Sequence, residues 1–212
     1  MPRVVDSEER RQELTDAAAR LIARAGIGAA TMRGVASEAG WTTGALTHYF
    51  TDKRELLLST FKASLESRHR QRAARDQAGP EAVLRATLTA ALPLDEDSRR
   101  HWMVTVAFCA EAAGDAEMAN AQRDAYRDFR ASVAVLVEQA APVRGPAALA
   151  AAERLIVVTN GIALQALFDP VSWPPRRQLA ALEEALEVGP AAVLTPRRPT
   201  SEGFDGTTLI AG

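Results

Sequence analysis

The chain has 212 residues, 47% hydrophobic but only 5% aromatic, with a formal net charge of -2. This composition excludes global disorder, disfavours a β-sandwich, and argues against a general nucleic-acid coat protein. The single cysteine, Cys109, excludes an internal disulfide and fits a reducing compartment, with the thiol as a small buried hydrophobe.

Taken in chain order, the pattern is helical throughout. Leu14, Ala17, Ala18, Leu21, Ile22 and Ala25 recur at helical spacing, and Gly26 and Gly28 end that first helix. Thr31 is a natural N-cap for a short second helix whose Met32, Val35, Ala36 and Ala39 face inward, and Gly40 stands where a left-handed C-cap is wanted. Thr42 caps a third short helix that contains Leu46 and is expected to reach Tyr49 and Phe50. Asp52, with Glu55 three residues later, has the form of a capping box. It starts a long fourth helix through Leu57, Phe61 and Leu65 that turns strongly charged from Arg68 to Asp76.

Gly79-Pro80 opens a fifth helix expected to end near Pro93. A sixth, Asp95 to Ala113, is apolar on nearly all sides between Trp102 and Ala110, as in a helix buried within a bundle. The seventh runs from about Ala116 to Ala141, with a stripe of Met118, Ala125, Phe129, Val133, Leu136, Val137 and Ala140. The eighth, Pro146 to Phe168, is stopped by Asp169-Pro170, and the ninth begins near Pro175 with Leu179, Leu182 and Leu186. The fold class is therefore all-α, about nine helices. An N-terminal three-helix helix-turn-helix head (1–55) is joined by a long helix to a C-terminal helical bundle (56–189), and a flexible tail (190–212) follows.

A helix, a tight glycine turn and a short second helix make a helix-turn-helix. Thr42, Thr43, Gly44, Ala45 and Thr47 are small or hydrogen-bonding, as a helix entering the major groove requires. Thr31 and Lys53 sit at helix starts, where phosphates are held, and Lys53 opposes its own helix dipole unless a phosphate is near. Arg33 has the chemistry to read a guanine edge, and His48 and Tyr49 follow the reading helix within reach of backbone or bases. Capping alone accounts for Thr31 and Thr42, and packing or solvation for His48 and Tyr49, so both readings stand. The charge is divided in the same sense: residues 1–75 hold 13 Lys and Arg against 9 Asp and Glu, and the remainder 12 against 18.

TMRGVASEAGWTTGALTHYFTDKRELL, residues 31–57, resembles the DNA-binding head of the TetR family of repressors. That family has T-x-R-x-[IV]-A, then A-G-x-[ST], then G-x-L-x-x-[YH]-F before x-x-K-x-x-L. Thr31, Arg33, Ala36, Ala39, Gly40, Thr42, Gly44, Leu46, Tyr49, Phe50, Lys53 and Leu56 match it. The resemblance implies DNA contacts at Thr31, Arg33, Thr42, Thr43, Gly44, Tyr49 and Lys53, and core packing at Ala36, Ala39, Leu46 and Phe50. The chain departs at Thr47, where many members carry an aromatic residue. DSRRHWMVTVAFCAEA and NGIALQALFDPVSWPPRRQLAALEEAL are similar to the C-terminal domain of the BetI-like branch, so the similarity spans about residues 8–189.

The resemblance implies a homodimer formed through helices eight and nine, with Leu155, Val158, Ile162, Leu167, Leu179, Leu182 and Leu186 at the interface. Helix eight supports this independently, being apolar around most of its circumference. Two heads on a two-fold dimer read a palindromic double-stranded DNA operator, with half-sites about one turn, roughly 34–36 Å, apart or more. The resemblance further implies a pocket for a small-molecule effector within helices four to eight, with Trp102, Phe108, Cys109, Met118, Tyr126, Phe129, Asn160 and Gln165 as lining candidates.

An enzyme is the contrasting class. His48, His69 and His101 show no metal-ligand spacing with Cys109, and no G-x-S-x-G, H-E-x-x-H or phosphate loop occurs. The expectation is no catalytic residue, no metal and no cofactor. The N-terminus has no signal-peptide pattern, and the longest strongly apolar stretch, Leu155 to Phe168, is shorter than the roughly 20 residues a bilayer needs. A cytoplasmic, ligand-responsive repressor is expected, and the alternative is a helical dimeric interaction or small-molecule-binding protein that does not bind DNA.

Overall fold

The computed structural model describes residues 5–73 and 79–187, which form nine α-helices and one short 3-10 turn, with no strand among the described residues. The tail expected to be flexible, 190–212, lies outside them. In order the helices are α1 (Val5–Ala25), α2 (Met32–Ala39), α3 (Thr43–Leu46), α4 (Lys53–Ala73), α5 (Pro80–Thr89), α6 (Glu96–Ala112), α7 (Ala116–Ala140), α8 (Gly145–Phe168) and α9 (Pro175–Glu187). The 3-10 turn, Ile27–Ala29, joins α1 to α2.

The caps explain the breaks. Thr31 Oγ1 accepts the Gly34 N–H at 3.0 Å, and Thr42 Oγ1 accepts the Ala45 N–H at 3.1 Å. Gly40 closes α2 at φ 74°, a left-handed conformation that glycine adopts without steric cost. Asp52 Oδ1 accepts the Glu55 N–H at 2.8 Å, but the return bond differs from a capping box. The Glu55 carboxylate reaches past Asp52 to the N–H and hydroxyl of Thr51, at 2.8 and 2.9 Å.

Two helix ends differ from expectation. α3 stops at Leu46 instead of reaching Tyr49 and Phe50, because the Thr47 hydroxyl turns back onto the Gly44 carbonyl at 2.8 Å and the chain continues as a turn. α5 stops at Thr89, short of Pro93: Ala91 and Leu92 bond to carbonyls three residues back, and Trp102 Nε1 donates to the Ala91 carbonyl at 2.8 Å. The residue before a proline also disfavours helical backbone.

The interior falls into two apolar clusters that divide within α6. Leu14, Ile22, Val35, Leu46, Phe50 and Phe61 of the first four helices pack with Val104, Phe108 and Met118. Phe61 stacks on Phe108 with ring centroids 4.1 Å apart. Trp102, one helical face away, belongs instead with Leu88, Val133, Leu155, Ile162 and Leu182 of the bundle. The head therefore rests on α6 and the start of α7 rather than hanging from a linker.

α8 corrects the expectation from the Leu155–Phe168 stretch. The whole helix is 24 residues and, by length and composition, long and apolar enough to cross a membrane. Its alanine-rich first half, Ala147–Ala152, extends the apolar run. The apolar character serves helix packing here, since α8 lies between α7 and α9 and buries ten of its residues.

Candidate DNA interface and effector cavity

The reading element is built on three sides. α1 lies against α2, α4 and α6, and Arg11 of α1 ties the turn after α3 to α4. Its guanidinium donates to the Tyr49 carbonyl at 2.5 Å, the Glu55 carboxylate at 3.0 Å and the Ser59 hydroxyl at 3.0 Å, and lies 4.4 Å over the Phe50 ring. Glu55 is held below the usual carboxylate range, first by the Thr51 N–H and then by Arg11. Leu46 and Phe50, both fully buried, anchor α3 from beneath.

What remains outside is the surface foreseen for DNA. Thr31, Arg33, Thr42, Thr43, Gly44, Thr47 and His48 are exposed, while Ala45 and Tyr49 are half-buried. The Tyr49 ring meets Trp41 edge-on, with centroids 5.6 Å apart. Lys53 lies at the edge of this surface, yet its ammonium pairs with Glu111 of α6 at 3.2 Å.

Arg54, next in sequence, donates to the Asp115 carboxylate, with the Nη2 bond at 2.9 Å, and pairs with Glu117 at 2.8 Å. Asp115 also caps α7, accepting the N–H groups of Glu117 and Met118, each at 3.0 Å. The start of α4 is thus fastened to the α6–α7 corner by ion pairs. Arg54 chiefly, then the Met118 N–H, holds the Asp115 carboxyl below the ordinary range. For a depressed carboxylate the stabilisation is present above its unfolded pKa, about 4, and is lost as pH falls through the lower folded value. Thermal melts between neutral pH and pH about 2.5 should therefore lose stability on the acid side, and Asp115→Asn should flatten that loss. An unchanged acid limb in the variant would sink the assignment.

Behind the head, α4, α6 and α7 enclose a cavity of about 90 Å³, closed by Ala91 and by Asn160 of α8. Of the eight effector candidates, Trp102, Tyr126, Phe129 and Asn160 line it. Phe108 and Met118 are buried in the head-side cluster instead, because they face α1 and α4. Cys109 is half-buried outside the lining, with burial pushing its thiol pKa up. Gln165 lies exposed on the outer side of α8. The cavity also takes Phe61, Leu65 and Arg68 from α4, His101 and Thr105 from α6, and Gln122 from α7, none of them candidates from sequence. Arg68 falls three and seven residues after Leu65 and Phe61, a helical stripe that could have identified it. A second, more polar cavity of about 230 Å³ lies between α1, α4 and α6, where Ser64 Oγ and His101 Nδ1 are 2.7 Å apart.

The family model of bacterial regulatory proteins of the tetR family matches residues 14–60, and that of the BetI-type transcriptional repressor C-terminal domain matches residues 80–188. The chain is 35% identical over 175 residues to the HTH-type transcriptional regulator PksA of Bacillus subtilis, spanning 81% of this chain and 85% of that one. The chain belongs to the TetR family. It is also 31% identical over 160 residues to the HTH-type transcriptional regulator BetI of Paraburkholderia xenovorans, covering 71% of this chain and 81% of that one. A crystal structure of a transcriptional regulator from Rhodococcus sp. Rha1 superimposes with a TM-score of 0.78 at 26% identity, covering 88% of this chain and 99% of that one.

On this TetR-family regulator the residues foreseen for dimerisation divide sharply. Leu155, Ile162, Leu167 and Leu182 are at most 6% exposed, and they belong to the subunit's own core. Leu179 and Leu186 are half-buried against that core, and Val158 alone of the seven is exposed. The open apolar surface is a different stripe of α8, Leu149, Val157, Leu164 and Phe168, continued by Val171. Gly161 lies on the same outer side, also exposed. The correction has a simple cause: a helix apolar on every side does not reveal which leucines its own bundle takes.

Proposed function

We propose that this TetR-family regulator is a cytoplasmic repressor. It binds a pseudo-palindromic operator as a homodimer and releases it when a small molecule enters the cavity between α4, α6 and α7. The observation that carries the reading is α4. At one end Lys53 and Arg54 stand beside the reading surface, and about two to four turns on Phe61, Leu65 and Arg68 line the cavity. A ligand that binds one placement of α4 better than another shifts the spacing of the heads by that difference in affinity. Thr31, Arg33, Thr42, Thr43, Gly44, Ala45, Thr47, His48, Tyr49 and Lys53 are the proposed DNA contacts, and the exposure of Thr31, Arg33, Thr42, Thr43, Gly44, Thr47 and His48 supports this. The exposed stripe on α8 supports a two-fold partner. The reading assigns no catalytic role, and among the described residues no cluster of three His, Cys, Asp or Glu is placed to hold a metal.

The test is a gel shift with duplexes covering the DNA upstream of its own coding region, repeated at rising salt. Binding should fall steeply with salt, as phosphate contacts require. Thr43→Ala combined with Tyr49→Phe should weaken it by about tenfold or more while leaving the oligomeric state unchanged. Failure to bind any such duplex would leave the alternative, a helical small-molecule-binding protein without DNA activity.

A further inference from the structure

We infer that Glu111 competes with operator phosphate for Lys53, so that a contact within the subunit sets how tightly the head holds DNA. This rests on the proposal that Lys53 is one of the DNA contacts. The Lys53 ammonium and the Glu111 carboxylate are 3.2 Å apart, and each side chain is 39% exposed. The pair therefore lies at the surface, where a phosphate can reach the ammonium.

The two charges stand at the wrong ends of their helices. Lys53 is the first residue of α4, and Glu111 is the last but one of α6. A helix carries partial positive charge at its start and partial negative charge at its end. Each side chain thus repeats the sign of the helix end it occupies, and neither is explained as a stabiliser of its own helix. The pair cancels both mismatches in the free protein, and a phosphate cancels the one at Lys53 in the complex. The two partners exclude each other. An ammonium bridging both would hold a carboxylate and a phosphate side by side, and like charges at that separation repel.

Arg54 provides the contrast. Its guanidinium holds Asp115, with Nη2 at 2.9 Å, and Glu117 at 2.8 Å. Asp115 is itself fixed by the N–H groups of Glu117 and Met118. Arg54 therefore keeps the start of α4 docked whichever partner Lys53 takes. Among the described residues Lys53 pairs with one carboxylate, through a compact ammonium on a flexible stem that can swing away from it. Arg54 is the anchor and Lys53 the movable cation. An exposed pair is weak, so its release costs the free protein about two- to threefold in affinity per head. Two heads bind one operator together, which squares the factor to about four- to tenfold.

The test is DNA binding by the full chain, read by fluorescence anisotropy with two labelled probes. One is the upstream duplex of the gel shift. The other is a duplex of about 30 base pairs of arbitrary sequence at low salt, where binding is electrostatic. Glu111→Gln should tighten binding to the upstream duplex by about four- to tenfold. The arbitrary duplex should gain in the same direction, because phosphate contacts carry no sequence information. Lys53→Gln should weaken both complexes, and in that background Glu111→Gln should add nothing. Glu111→Ala repeats the measurement without an amide oxygen that could still hold the ammonium. A Glu111→Gln and a Glu111→Ala protein that both bind like wild type would overturn the inference. So would equal tightening in the Lys53→Gln background, which marks a general field of the carboxylate and no competition for Lys53. The outcomes separate the two proposals. Wild-type protein that binds neither probe removes the DNA-binding reading, and the inference with it. Wild-type binding with additive effects of the two substitutions removes the inference alone.

Discussion

Val157→Glu combined with Phe168→Glu is expected to turn a dimer into a well-folded monomer that has lost its operator. The two side chains are 64% and 73% exposed on the subunit, so nothing in its own core depends on them. Their thermal transition should move little, as for most exposed substitutions. In a two-fold interface each patch meets its own copy, so the double variant places four carboxylates where four apolar side chains were buried together. Like charges and lost apolar burial both oppose association. Operator affinity should then fall by about a hundredfold or more, because two linked heads become two independent ones. Leu182→Ala provides the contrast. That side chain is fully buried, and its loss should cost about 2–5 kcal/mol of fold stability while leaving the outer face of α8 intact. Gel filtration and urea unfolding of the two variants distinguish an interface from a core. A double glutamate variant that remains dimeric would remove α8 from the interface.

The contrast between Val157 and Leu155 also marks how far the sequence could be read. Signals that act within a few residues were legible: Thr31 and Thr42 cap their helices, Gly40 takes the left-handed position, and Leu46 and Phe50 are buried. Signals that need a second element were not. α8 is apolar on all sides, so only its placement between α7 and α9 decides that Leu155 goes inward and Val157 outward. The cavity was half legible for the same reason. Trp102, Tyr126, Phe129 and Asn160 are among the lining candidates that the resemblance implies, whereas Arg68 and Gln122 are not. Arg68 opens a charged run in the sequence, and only packing against α6 turns it toward the interior. Lys53 stands at the start of α4, but its partner Glu111 is 58 residues away and no local pattern announces it.

Two glycines of the head should separate stability from recognition. A Cβ on Gly34, in the first turn of α2, would fall well inside van der Waals contact of the Ala29 carbonyl oxygen, with Thr31 Oγ1 at 3.1 Å and a Leu21 methyl at 3.3 Å. The closest of these is backbone, which cannot rotate aside. Helix propensity favours Gly34→Ala by about 1 kcal/mol, but overpacking of this kind costs about 1–3 kcal/mol and also displaces the turn before the Thr31 cap. The steric term should win, so denaturant unfolding should show a net loss and operator binding should fall with it. Gly44, in α3, is the reverse case: a Cβ there meets nothing within 4 Å, and its φ is not in the left-handed region. Gly44→Ala should therefore stabilise the head, by roughly 0.4–1 kcal/mol through a less flexible unfolded chain. Its methyl group would stand on the exposed surface between Thr43 and Thr47, where a close backbone approach to a phosphate needs space. Operator affinity should drop about tenfold while stability rises, an opposition that a purely structural role for this glycine would not produce. Unaltered operator affinity in Gly44→Ala would move the DNA contact away from the start of α3.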